Sequence, residues 1–340
     1  MYQFLSNICT PLQSGSTNLY VSVLIIAMLL GFYLLTKGGD ILSDHCSNLA
    51  NSIGVPSVVV GLTIVSVATS APELFTSISA ITSDAQGLII GNIVGSNIAN
   101  IGLILGISLI ISPINTKNAV SNKQGFVLLV LSLAFTIYLF LNPSKTLGHI
   151  PGSFLLLFIF LYLFLITKNA LNERKVELSA EKPKLSHENS NTVAVSILMI
   201  VLATITLWLG SDTLVFGAKN LALMVGVPQE LIGFTLVAIG TSLPELAASI
   251  SLTKKKEFSM LLGNILGSNL FNIGLVGGAA GIMGPINVST KYPWIDYLSL
   301  IILTTIFVFW LRGKKLAKLN GVILLTIYLI TTVVTWYYNS

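Results

Sequence analysis

Ten long apolar windows are separated by short polar stretches along this chain. They fall at about 20–38, 55–81, 87–112, 124–141 and 152–167, and again at about 192–217, 228–252, 258–283, 294–311 and 317–337. Each approaches or exceeds the roughly 20 residues that a helix needs to cross a bilayer. Between the two sets lies Lys168–Asn191, rich in Lys, Glu and Ser and holding Pro183. That composition reads as a solvated linker. The pattern predicts an all-α integral membrane protein with five helices in 1–168, a linker at 169–191 and five helices in 192–340.

Composition removes the alternatives. Of 340 residues, 54% are hydrophobic and 9% charged, against about 25% charged in ordinary soluble domains. A soluble fold of this size could not cover its surface with so few charges, and a disordered chain would not be so apolar. With ten spans, about 14 of the 18 Lys and Arg gather on one side, among them Lys123, Lys168, Lys182, Lys254, Lys255, Lys256, Arg312 and Lys318. Lys145, Lys291 and Lys219 fall on the other. The basic excess marks the cytoplasmic side. It predicts a cytoplasmic linker, both termini outside, and the cell membrane as the location. The net charge of +5 therefore reports topology, and no nucleic-acid partner is expected. Cys9 and Cys46 form no CxxC pair, and His45, His149 and His187 form no metal motif. A cleaved signal peptide is not expected, because the first apolar run is too long and lacks a basic flank. The Tyr and Trp near 292–297 and 336–338 are expected as interfacial anchors.

The two halves repeat each other. GLTIVSVATSAPELFTSIS from Gly61 matches GFTLVAIGTSLPELAASIS from Gly233, and GNIVGSNIANIGLILG from Gly91 matches GNILGSNLFNIGLVGG from Gly263. All are displaced by 172 positions, as are Asp40 and Asp212, the Gly-Val-Pro stretches at Gly54 and Gly226, and Pro-Ile-Asn at Pro113 and Pro285. About 35 of 78 positions match between 38 and 115 without a gap. Five spans per copy is an odd number, so the second copy enters the membrane upside down. Inverted repeats gather equivalent helices around a pseudo-twofold axis near the midplane, in transporter fashion.

The repeats carry the candidate chemistry. Ser66, Thr69, Ser70 and Glu73 are spaced i, i+3, i+4, i+7 and share one helix face. Ala238, Thr241, Ser242 and Glu245 repeat that stripe. A carboxylate deep in a membrane helix costs about 2.5–3.5 kcal/mol on insertion scales. No Lys or Arg is expected at that depth, which leaves a bound cation as the compensating charge. Pro72 and Pro244 remove helical partners from the carbonyls near Ala68 and Gly240. Carboxylate, carbonyl, hydroxyl and amide oxygens are the ligands of hard cations, and no soft ligand accompanies them. Ser96 and Asn100 add oxygens one turn apart on the third helix, mirrored by Ser268 and Asn272. The glycines at 91, 95, 102, 106, 263, 267, 274 and 278 allow close helix packing. Asn92, Asn97, Asn264 and Asn269 are read as packing residues. Asp40 and Asp212 fit a pore mouth and a capping or pairing role equally well.

At GTSLPE and GSNIAN the sequence resembles the cation/Ca²⁺ exchanger superfamily, most closely the compact prokaryotic type of Na⁺/Ca²⁺ exchanger. The family's alpha-repeats look like 54–115 and 226–287 here. The resemblance implies ten helices in two inverted five-helix repeats, with broken helices around a midplane cation site. It implies a central site of Glu73, Glu245, Thr69 and Thr241, and flanking Na⁺ sites using Ser70, Ser242, Ser96, Ser268 and the carbonyls of Ser66 and Ala238. Asn100 matches the family's amide ligand. Asn272 departs from members with Asp there, which leaves two central carboxylates and puts K⁺ coupling in doubt. With a linker of about 24 residues, the large cytoplasmic Ca²⁺-sensing domains of some members are not expected. The expected partners are Ca²⁺, Na⁺ and the lipid bilayer, with no cofactor and a monomer as the working unit.

Charge arithmetic separates the mechanisms. Two carboxylates balance one Ca²⁺ or two protons, whereas more than two Na⁺ leave the loaded site positive. The leading expectation is Na⁺/Ca²⁺ antiport by alternating access. A Ca²⁺/H⁺ antiporter is the alternative, although that branch carries a GNxxE-type motif where this chain has TSxPE. A cation channel and an intramembrane enzyme fit less well, the latter because no nucleophile–base constellation lies in the spans.

Overall fold

The computed structural model describes residues 17–82, 87–116, 122–142, 146–180, 190–226, 238–287, 293–313 and 315–339. Cys9, Pro183, His187, Lys117, Lys145, Lys182, Lys184, Lys291, Lys314, Tyr292, Pro228 and the stretch from Gly233 to Val237 lie outside them.

Ten helical segments follow one another in the order of the apolar windows. α1 is Thr17–Ile53. α2 runs through Ser57–Val60, a π-helical turn at Gly61–Val65, and Ser66–Thr82. α3 comprises Gly87–Ala99, a π turn at Asn100–Leu105, and Gly106–Ile111. α4 is Asn122–Leu141, α5 His149–Ala180 and α6 Ser190–Met224. α7 is described from Ala238–Thr241 and resumes at Leu243–Lys254. α8 comprises Phe258–Phe271, a π turn at Asn272–Val276, and Gly277–Met283. α9 is Pro293–Leu311 and α10 Lys318–Asn339. Among the described residues nine of these are long and apolar enough to cross a membrane. The remaining one, α7, is described only in part.

Polar residues do not end α5 where its apolar run ends. The helix continues past Lys168 to Ala180, through a stretch of good helix formers such as Ala, Leu, Glu, Arg and Lys.

Burial sorts the helices into two shells. In α8, 83% of the most apolar window is buried, against 11% in α5. α2, α3 and α8 therefore form the centre, while α1, α5, α6 and α10 turn residues such as Leu29, Phe32, Phe160 and Val333 outward. In a bilayer those side chains meet acyl chains instead of water. Trp294, Trp336, Tyr337 and Tyr338 are exposed, as interfacial anchors should be, but Tyr297 is buried. It belongs to the buried core, on a helix that packs against α10, α3 and α4.

Lipid offers no hydrophobic drive between helices, so close contact must come from small residues. α1 and α6 pack through Gly31 and Gly210: a Cβ on Gly31 would lie 2.7 Å from the Gly210 carbonyl, and one on Gly210 3.0 Å from that of Gly31. Two short antiparallel ladders tie the repeats together. β1 (Ile114–Asn115) pairs with β4 (Lys315–Leu316), and β2 (Thr146–Leu147) with β3 (Ile286–Asn287). The duplicated Pro-Ile-Asn stretches thus each pair with the opposite half.

Candidate cation site

Local backbone chemistry positions the carboxylates. Pro244 has no N–H for the Gly240 carbonyl, and α7 is interrupted at Ser242. The Ser211 hydroxyl of α6 donates to the Gly240 carbonyl at 2.5 Å. Pro72, by contrast, sits inside a continuous helix. The irregularity of α2 comes earlier, in the π turn at Gly61–Val65. There the Ser66 hydroxyl donates to Gly61 O at 2.8 Å and reaches across to Asn264 O at 3.1 Å. In α3 and α8 the π turns begin at Asn100 and Asn272. Such turns are frequent at functional sites because they widen the helix.

Glu73 and Glu245 are each 1% exposed and near enough to interact electrostatically. Ser70 donates to Glu245 Oε1 at 2.9 Å, which joins one repeat to the other. Glu245 Oε2 and both oxygens of Glu73 are buried without a hydrogen-bond partner. So are the hydroxyls of Ser96 and Ser242 and the amide groups of Asn100 and Asn272. Buried polar atoms are nearly always satisfied, so this concentration of free oxygens needs an external partner. Carboxylate, hydroxyl and amide oxygens in this number suit a hard cation.

Hydrogen bonds gather Ser66, Thr69 and Ser268 around Asn264, whose Oδ1 lies 3.4 Å from the Ser66 and Thr69 hydroxyls and 3.5 Å from that of Ser268, and a separate bond ties Ser70 to Glu245. Thr241 joins Glu73 through Asn92. Ser96, Ser242, Asn100 and Asn272 are buried and join neither group by a hydrogen bond. Ala238 begins the described part of α7.

Sequence reasoning missed Asn92 and Asn264, which it read as packing residues, and with them Ser77 and Ser249. Asn92 Nδ2 donates to the Ser77 hydroxyl at 3.3 Å, and Asn264 Nδ2 to the Ser249 hydroxyl at 3.3 Å. The signal was present in the identical Gly-Asn-Ile triplets and in the Ser-Ile-Ser runs after each glutamate. Asp40 takes a pairing role: its carboxylate accepts from Ser251 at 2.7 Å and its carbonyl from Lys255 at 2.8 Å, while Lys255 also meets Asp44 at 2.7 Å.

Inverted helical repeats closing two glutamates into a buried oxygen cage define a membrane transporter of hard cations, not an enzyme. The sequence profile described as "Sodium/calcium exchanger protein" matches residues 23–168 and 195–337, and the chain belongs to that family. It is similar to the sodium/calcium exchanger MaX1 of Methanosarcina acetivorans, at 32% identity over 93% of this chain and 99% of that protein. It is also similar to the membrane protein MJ0091 of Methanocaldococcus jannaschii, at 34% identity over 89% and 94% of the two chains. A solved structure of the sodium-calcium exchanger NCX_Mj, soaked with Na⁺ and Sr²⁺, superposes with a TM-score of 0.79 at 30% identity and covers 92% of this chain and 98% of its own. The family architecture is ten helices in an inverted repeat.

Proposed function

We propose that this chain exports Ca²⁺ in exchange for Na⁺ by alternating access, at a site built from Glu73 and Glu245. The observation that carries the reading is the pair of buried carboxylates from opposite repeats, with three of their four oxygens unpartnered inside the protein. Thr69 and Thr241 complete the central site. Ser70, Ser242, Ser96, Ser268 and the carbonyls of Ser66 and Ala238 serve flanking Na⁺ positions, and Asn100 and Asn272 supply amide oxygens. Overlapping sites make the ions compete and cross in separate half-cycles. The inward Na⁺ gradient then drives Ca²⁺ outward. More than two Na⁺ per Ca²⁺ would carry net charge, since two carboxylates already balance one Ca²⁺.

The repeats are 1–168 and 192–340, the linker faces the cytoplasm, and both termini lie outside the cell membrane. The basic excess around Lys254–Lys256 and Arg312–Lys318 supports that orientation.

The test is ⁴⁵Ca²⁺ uptake into proteoliposomes preloaded with Na⁺, with choline and a pH gradient as controls. Uptake should require internal Na⁺ and disappear in Glu73→Gln and in Glu245→Gln. Uptake driven by protons alone would replace Na⁺ with H⁺ as the coupling ion. Uptake indifferent to both substitutions would remove the site.

A further inference from the structure

Sequence reasoning expected no Lys or Arg at the depth of the two glutamates, but the packing of α1 puts Lys37 there. Its neighbour Gly38 packs on α6, where a Cβ would lie 2.9 Å from Leu207 Cγ, and Gly39 packs on α7, where one would lie 2.7 Å from Ala247 O. Ala247 is two residues from Glu245. Trp208, next to Leu207, stacks on Phe75 at 6.0 Å, and Phe75 is two residues from Glu73. Lys37 is therefore level with both carboxylates. It does not neutralise them. At about 100° per residue it lies about 160° around α1 from Gly39, and it is exposed.

Lys37 belongs to a stripe that α1 turns away from α6 and α7. Ile26, Leu30, Tyr33, Lys37, Asp40 and Asp44 follow one another at alternating spacings of four and three, and all six are exposed. That alternation is the seam by which one helix packs along another in a left-handed pair. The outer half of the stripe is apolar and the inner half is charged. Asp44 pairs with Lys255 of its own chain at 2.7 Å. Among the described residues the Asp40 carboxylate meets the Ser251 hydroxyl but no cation, and no hydrogen bond or ion pair reaches Lys37. One positive and one negative charge are left unpaired, one turn apart on a face that lipid would otherwise cover.

We infer that this face docks a second copy of the chain, α1 against α1, with Lys37 of each copy paired to Asp40 of the other. A twofold axis along the membrane normal keeps both copies in the same orientation and brings equal depths face to face. Lys37 and Asp40 then differ in level by about 4.5 Å, a gap that the flexible lysine stem spans. Ile26, Leu30 and Tyr33 pack along the outer half of the seam. Acyl chains offer no countercharge, and headgroups lie about half a bilayer core away. Within one helix, Lys before Asp is the weaker order for a pair, and the structure does not form it. Each copy keeps its own cation site, so the working unit remains the single chain, and the inference does not depend on which ions are exchanged.

The test counts the bleaching steps of a fluorescent C-terminal tag on the full chain in phosphatidylcholine vesicles, over a range of protein-to-lipid ratios. Wild type should pair above chance. Lys37→Met should need about ten times more protein per lipid for half-association, while Lys37→Arg, which keeps the charge, should match wild type. Tyr33→Cys in a Cys9→Ser background leaves the charges in place. It should form a disulfide between copies under mild oxidant, and adding Lys37→Met should weaken that cross-link. Single-step bleaching at every density would overturn the inference, as would pairing unchanged by Lys37→Met or no cross-link through position 33. Pairing that appears only with added phosphatidylglycerol and is lost in Lys37→Met would assign the lysine to a lipid headgroup, and would overturn it too.

Discussion

The first repeat carries its proline inside an unbroken helix, while the second breaks at Ser242 two residues before its own. The difference can be traced to a neighbour. The hydroxyl that caps the Gly240 carbonyl belongs to Ser211, whose counterpart 172 positions earlier is Gly39, which has no hydroxyl. Ser70 donates to Glu245 Oε1 at 2.9 Å, whereas the Ser242 hydroxyl faces Glu73 in a looser contact. At one end of the molecule Lys255 joins α7 to Asp44 and Asp40 of α1. The counterparts of Lys255 and Asp44 are Ser83 and Phe216, which cannot form an ion pair. The bonds of Asn92 to Thr241 and Ser77, by contrast, are matched by those of Asn264 to Thr69 and Ser249. The asparagine–threonine bonds are thus common to both repeats, whereas the break in α7, the short serine–glutamate bond and the lysine–aspartate pair are not duplicated.

Four substitutions probe that asymmetry, beyond the loss of transport expected of the glutamate variants. The largest effect falls on Ser70. Ser70→Ala removes a hydrogen bond to a buried carboxylate, worth about 1.5–3 kcal/mol, and so should weaken apparent ion affinity more than tenfold. Ser242→Ala removes the looser of the two serine–glutamate contacts and should cost less. Dose–response curves for Na⁺ and Ca²⁺ compare the two, and equal losses would erase the difference between the repeats.

Ser211→Ala comes next. It leaves the Gly240 carbonyl without its donor and should destabilise the protein by about 1–2 kcal/mol. A lowered melting temperature in detergent is the expected reading. An unchanged one would mean that the break in α7 does not depend on α6.

Lys255→Met should have the smallest effect. The two side chains of the ion pair are 29% and 61% exposed, so solvent and salt screen them. Their contribution is about 1 kcal/mol or less. Wild type and variant should differ in melting temperature at low ionic strength and converge at high salt. A difference that persists in high salt would show that packing, not charge, joins α1 to α7 there.

The apolar windows determined the number and order of the helices, because each must satisfy its backbone internally once it enters lipid. The 172-residue displacement determined the inverted architecture, since five spans cannot return to the side they began on. Glu73 and Glu245 were legible because a carboxylate within an apolar window is too costly to be incidental. Asn92 and Asn264 were not legible as part of the site. An asparagine in a membrane helix fits packing as well as function, and its role depends on which helix it faces. Spacing along α3 cannot show that Thr241 lies opposite, 149 residues away in the chain. Likewise the helical extension of α5 to Ala180 and the unbroken passage of α2 through Pro72 depend on context that composition does not record. The sequence by itself determined which residues would be costly in lipid. Only the tertiary structure decided which of their atoms are partnered, because hydrogen bonds between repeats depend on the distance and angle at which the helices meet.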